Sequence, residues 1–138
     1  MAFSRLADLP MAMTAHVVFS ALDAAQPATT SATIIDQVIR GAMNFQGLLM
    51  SDDVSMNALS GSIAERTRAS LKAGCDVALH CNGKMDEMRA GASEAPVLAG
   101  EALQRADRVL AARRPPQPFD RDAGRAELDE LIAQAGIA

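Results

Sequence analysis

Apolar residues along this chain fall into two alternating textures: short unbroken runs of strand length, and longer stretches in which they recur every three or four positions. The runs are Met11-Ala12-Met13-Thr14-Ala15, Gly47-Leu48-Leu49-Met50-Ser51 and Cys75-Asp76-Val77-Ala78-Leu79-His80-Cys81. Near-continuous apolar runs of this length predict strands covered on both faces, the habit of parallel sheets. The first is expected as a buried strand from Pro10 to Ala15, the second ends on Asp52 and Asp53, and the third breaks at Gly83.

Between the runs the period changes. Ile34, Ile35, Val38, Ile39 and Met43 share one helical face behind a cap at Ser31, which predicts a helix from Ala32 to Met43, and Asn44-Phe45-Gln46-Gly47 turns the chain into the next strand. Ser62-Ile63-Ala64-Glu65 has the capping-box spacing, so a second helix should start at Ile63 and stop at Gly74. Lys84 to Ala92 fits a short helix despite Gly91. Pro96 then resets the chain, and a longer helix follows with Leu98, Ala102, Ala106, Val109 and Leu110 on one face. Arg113-Arg114-Pro115-Pro116-Gln117-Pro118 is an extended stop, and Ala123 to Ala135 is expected as an amphipathic packing helix through Leu128, Leu131 and Ile132. Phe19 to Thr30 and Val54 to Gly61 read as loops.

Strand followed by helix, three times over, gives an α/β fold of parallel βα units. Three strands cannot close an eight-stranded barrel, and as an open sheet they leave two unpaired edges. The unit is therefore expected to be part of something larger.

Composition narrows the function classes. The 138 residues are 49% hydrophobic, enough for one domain with a core. The net charge of -4 comes from 17 acidic and 13 basic residues without a block of one sign, which argues against nucleic acid or a membrane surface as partner. Tryptophan and tyrosine are absent, so the chain brings no aromatic platform of its own for a sugar or base. No apolar run approaches membrane-span length, and the first residues lack a signal-peptide pattern, which makes the cytoplasm the expected compartment. Cys75 and Cys81 bracket the third run, about 20 Å apart if extended, beyond the reach of a disulfide. Both are expected as buried thiols.

The chemistry concentrates at Asp52 and Asp53, which are expected to leave the end of the second strand together, where α/β folds place reactive groups. Three uses compete: nucleophile or base in glycoside hydrolysis, an acidic metal or phospho-acceptor pocket, and capping of the following segment. His16 and His80 end strands on the same predicted face and read as structural histidines with their hydrogen bonds satisfied.

The run Leu49-Met50-Ser51-Asp52-Asp53-Val54-Ser55-Met56 resembles the nucleophile motif of bacterial family 3 β-N-acetylhexosaminidases, the peptidoglycan-recycling β-N-acetylglucosaminidases. Met11 to Val18, Gly74-Cys75-Asp76 and His80-Cys81-Asn82 are similar to flanking segments in the same order, so the resemblance spans Leu6 to Arg114. It implies a partial TIM (β/α)8 barrel with strands six, seven and eight near Pro10, Gly47 and Cys75. Residues 1–114 would be the carboxyl-terminal part of the barrel, and 115–138 a Pro-rich linker and terminal helix. It further implies Asp52 as the nucleophile of a retaining mechanism and no metal or organic cofactor; Asp53 lacks that assignment and reads as a hydrogen-bonding neighbour or a cap for the following loop. The implied substrate is a GlcNAc-containing muropeptide.

The resembling proteins carry roughly two hundred further residues ahead of this region, the size of five barrel units. Those residues include a Lys-His sugar-binding motif and a mobile loop with an Asp/His acid–base dyad, neither of which occurs here. The chain is accordingly expected to be a carboxyl-terminal fragment or truncated reading frame, inactive alone, with the missing amino-terminal barrel half as its expected partner. Two other classes compete: a receiver-like signalling domain whose acidic pair holds Mg²⁺, and a non-catalytic remnant that folds only with a partner chain.

Overall fold

All three apolar runs become strands in a computed structural model that describes residues 2–136. They are β1 (Met11–Met13), β2 (Leu48–Asp53) and β3 (Val77–Leu79), parallel and in the order β1-β2-β3. Each is followed by a helix: a π-helix over Ile34–Ala42, α1 (Ile63–Ala73) and α2 (Met85–Ala92). Two more complete the chain, α3 (Gly100–Ala111) and α4 (Arg121–Ala135).

Local chemistry sets these boundaries. The Ser31 hydroxyl accepts the Ile34 N–H at 3.1 Å. At α1 the reciprocal capping box of Ser62 and Glu65 is complete, and Gly74 ends the helix in a left-handed conformation at φ 115°. The first helix is wider than an α-helix: the Met43 N–H reaches back five residues, to the Val38 carbonyl. Gly47 admits no side chain, since a Cβ there would lie 2.6 Å from the Leu9 carbonyl oxygen and 2.7 Å from that of Pro10. The entry to β2 thus runs directly against the backbone that leads into β1.

The core is the layer between the helices and the sheet, where Ile35, Phe45, Leu49, Ala73 and Cys75 pack with Ala12 and Ile39. Ala12 pairs with Leu49 in register and faces these helices. The neighbouring pairs, Met11 with Leu48 and Met13 with Met50, face the other way. Among the described residues that side is only partly covered at β1, where Met11 and Met13 are 39% and 50% exposed, and the strand expected to be buried from Pro10 to Ala15 is a half-open edge strand. Beside it lies an apolar cleft of about 470 Å³ lined by Phe3, Leu6, Leu9, Met11, Met13 and Val38, among others.

Two more expectations change. α4, expected to pack, buries none of its residues, and Leu128 and Leu131 are half exposed. α3 half-buries Ala102, Ala106 and Val109 but reaches the sheet largely through arginines. The Arg105 guanidinium donates to Asp76 Oδ1 at 2.9 Å, and that of Arg108 donates to the Gln46 carbonyl at 3.1 Å.

Asp76, just ahead of β3, joins all of these parts. Its Oδ2 accepts from Arg40 of the π-helix at 2.8 Å and from the Leu49 N–H at 2.8 Å, while its own N–H donates to the Leu49 carbonyl. Arg40 also donates to the Phe45 and Gly47 carbonyls and lies over the Phe45 ring. Burial pulls the Arg40 pKa below its usual value, with the Asp76 charge opposing that shift.

The side chain of Asp76 is 5% exposed and those of Arg40 and Arg105 are 14% exposed, so removing the carboxylate strands two desolvated cations. Asp76→Ala is expected to cost about 3–5 kcal/mol, against about 1 kcal/mol for Ser62→Ala at the cap of α1. Urea denaturation of the two variants measures the contrast, and equal midpoints would contradict it.

Candidate functional site

β2 runs two residues beyond its predicted end, so Asp52 and Asp53 are its last two residues and do not follow it. Against β3 the register passes from Met50↔Val77 to Asp53↔Leu79, three residues of β2 to two of β3. Such a bulge re-aims side chains at a strand end and is common beside reactive sites. Ser51 fills the irregularity, its fully buried hydroxyl accepting the Leu79 N–H at 2.9 Å.

The two carboxylates are in different states of engagement. Asp53 is closed on protein donors: Oδ1 accepts from the Ser55 and Cys81 N–H groups at 2.9 and 3.1 Å, and Oδ2 from the Ser55 hydroxyl at 2.6 Å. Desolvation works to raise its pKa, but these hydrogen bonds, helped by the His80 ring, outweigh it and hold the group below the ordinary carboxylate value. Asp52 Oδ1 accepts only the Asp53 N–H, at 2.8 Å. Among the described residues no donor reaches its Oδ2.

His16 lies beside this pair with both ring nitrogens occupied, Nδ1 at 2.8 Å from the Thr29 hydroxyl and Nε2 at 2.9 Å from the Asp53 carbonyl oxygen. Thr29 in turn bonds Thr14 at 2.9 Å, and Thr14 accepts the Asp52 N–H at 3.3 Å. The reading of His16 as a satisfied histidine holds.

His80 is satisfied on one side only. Its Nε2 meets Glu87 at 3.1 Å, and its Nδ1 is buried without a partner. Glu87 also accepts from Asn82 at 2.6 Å and Lys84 at 3.2 Å. Together, led by the Asn82 contact, these donors push the Glu87 pKa down to about 2.

Of the two thiols expected to be buried, Cys75 is buried and Cys81 is exposed, and both are free. Burial pushes the Cys75 pKa up to about 12, which leaves it a thiol at neutral pH. Cys81 lies beyond the end of β3, where no layer covers it. Desolvation, then the charges of Asp53 and Asp52, raise its pKa. The sequence reading passed over Thr14 and Thr29 as site members. Thr14 gave a faint signal as a hydroxyl inside an apolar run, whereas Thr29 lies in a Thr-Thr-Ser stretch and gave none.

Among the described residues no three His, Cys, Asp or Glu side chains converge as metal ligands. No helix of the described residues is long and apolar enough to cross a membrane. What the strand end offers is one carboxylate with a free oxygen, held by a closed neighbour, which suits attack on or stabilisation of a developing cation.

A family model described as the glycosyl hydrolase family 3 N terminal domain matches residues 2–112. A beta-hexosaminidase of Alkalilimnicola ehrlichii is 45% identical over 84 residues, 58% of this chain and 24% of that protein. One from Idiomarina loihiensis is 36% identical over 100 residues, 71% of this chain and 30% of that protein. The crystal structure of a beta-N-acetylhexosaminidase from Beutenbergia cavernae superposes with a TM-score of 0.63 at 30% identity, covering 80% of this chain and 36% of that one. The chain therefore spans about a quarter to a third of the relatives it matches. The expectation of a carboxyl-terminal fragment is corrected to this extent: the matched residues are those of an N terminal domain.

The carboxylate chemistry yields a prediction. Glu87 is held at about 2 against an ordinary 4.5, so its contribution to the β3–α2 connection is fully present above 4.5 and is lost as the pH falls through 2. A carboxyl NMR titration should place its midpoint near the lower value, and Asn82→Ala should move that midpoint upward. A wild-type midpoint near 4.5 would refute the hydrogen-bonded arrangement.

Proposed function

The chain belongs to glycosyl hydrolase family 3, within that family's N-terminal barrel domain, and on that premise we propose that it carries the nucleophile of a retaining β-N-acetylhexosaminidase. The observation that carries the reading is the inequality of the strand-end carboxylates. Asp53 is consumed by hydrogen bonds within the protein, whereas Asp52 keeps Oδ2 unengaged. Three parallel strands supply part of a barrel, and the resemblance along the sequence supports reading them as its last three βα units, with Asp52 on the catalytic face.

In this mechanism an Asp52 oxygen bonds to the anomeric carbon as the bond from that carbon to the leaving oxygen breaks. A general acid protonates the leaving oxygen. Water then attacks the resulting glycosyl ester and frees the carboxylate. No residue of this chain is assigned as that acid: His16 is bonded on both nitrogens, and His80 Nδ1 is buried. The acid and most of the sugar pocket would come from the rest of the barrel. The relatives' names support a terminal β-linked N-acetylhexosamine as substrate. The motif resemblance extends this to GlcNAc on peptidoglycan-derived muropeptides handled in the cytoplasm. The receiver-like alternative needs converging metal ligands, and no observation favours it.

Lacking the general acid alone costs about 10²–10⁴ in rate, so the 138-residue chain is expected to show no measurable turnover of a chromogenic β-GlcNAc substrate. In a completed barrel, a 2-fluoro or 5-fluoro sugar should leave its ester on Asp52, read by peptide mass spectrometry. An ester on Asp53, or on neither residue, would sink the assignment.

A further inference from the structure

We propose that His16 is a positioning residue for Asp52, acting through a one-directional chain of hydrogen bonds across Thr29 and Thr14; this rests on the reading of Asp52 as nucleophile. The direction follows from what each atom can do. The Asp53 carbonyl only accepts, so the His16 nitrogen 2.9 Å from it, Nε2, carries a proton. In the neutral ring Nδ1 is then an acceptor, and the Thr29 hydroxyl, 2.8 Å away, spends its single proton there. Thr29 can therefore only accept from Thr14, at 2.9 Å. Thr14, its own proton spent, accepts the Asp52 N–H at 3.3 Å.

Every hydroxyl in this chain gives one hydrogen bond and takes one, and both threonines are buried, Thr29 completely. A buried hydroxyl turned the wrong way loses a partner and has no water to replace it, so the order of donors is fixed. The two ends of the chain bracket the carboxylate. One end holds the Asp52 N–H. The other holds the carbonyl of Asp53, whose N–H is, among the described residues, the sole protein donor to Asp52 Oδ1. With the peptide ahead of Asp52 and the peptide after Asp53 tied to one relay, the two-residue strand end is held from both sides, and the Asp52 side chain has a fixed base from which its free oxygen projects. β1, otherwise a three-residue edge strand, reaches the site through Thr14 and His16, just past its end.

The test uses the ¹⁵N-labelled 138-residue chain and involves no turnover, so its failure is separate from a failure of ester trapping. Long-range ¹H–¹⁵N spectra should show the His16 ring protonated on Nε2. Thr29→Val keeps the shape and removes the hydroxyl; it should speed hydrogen exchange at the Asp52 amide about tenfold, the equivalent of one hydrogen bond. The Leu48 and Leu49 amides, bonded to Pro10 and Asp76 at the far end of the strand, should not change, and Thr29→Ser should restore the wild-type behaviour. Uniform loosening of β2, or no change at Asp52, would reduce Thr29 to packing and overturn the proposal. A wild-type ring protonated on Nδ1 alone would overturn it without any variant, including the case in which the valine variant fails to fold.

Discussion

Asp76 solves an electrostatic problem that the topology creates. Two helices, one ahead of β2 and one near the end of the chain, turn arginines inward beneath the sheet, and two guanidinium groups at close range in a poorly hydrated place repel each other. One carboxylate, sharing its oxygens between them and also accepting the Leu49 N–H, makes the arrangement tenable. The π-helix, β2, β3 and α3 meet there, while the apolar core above it is only a handful of side chains. The ion cluster fixes where the helices stand, and the small core fills what is left between them.

That anchoring lies at the amino ends of the strands, and Asp52, the proposed nucleophile, lies at the other end of β2. The separation is physically useful. Charges at the floor are neutralised by partners built to stay, whereas the top has to keep a carboxylate oxygen free of partners, which is destabilising if the surrounding backbone can relax. Ser51, Asp53, Arg66 and Glu87 prevent that relaxation. Ser51 takes up the irregular register with β3, Asp53 ties the strand end to Ser55 and Cys81, Arg66 holds the Val54 and Met56 carbonyls, and Glu87 gathers His80, Asn82 and Lys84. The loops after β2 and β3 are thereby held by polar side chains, and the first of them also by the buried Val54 and Leu59.

Features set by nearby residues were legible in the chain. The alternation of strand and helix, the Ser31 and Ser62 caps and the Gly74 stop all came through, because each depends on residues within a turn or two. The widened first helix did not, since its apolar spacing is compatible with either turn. The Asp76 cluster joins residues 29 and 36 positions apart, and no local pattern encodes that pairing. Asp53 was set apart from Asp52 along the sequence by resemblance alone; a physical ground for the difference, the Cys81 N–H that reaches it from 28 positions away, is encoded in no local pattern. The exposure of Met11 and Met13 was misread because an apolar run announces the wish to be covered, and does not say whether the cover is present. The same holds for Leu128 and Leu131 on α4.

The contact at Gly47 has a consequence for how this chain can drift over generations. Because the space of a single methyl group is already occupied by the carbonyls of Leu9 and Pro10, every one-base change that replaces this glycine forces the lead-in to β1 away from the entry to β2. Neighbouring apolar positions can exchange one hydrocarbon for another of similar volume, but this one has no substitute to exchange. Gly47 therefore acts as a fixed point around which the rest of the strand can vary. The alignment of β1 beside β2, and with it the place of Thr14 and His16 next to Asp52, is inherited through a residue that has no side chain.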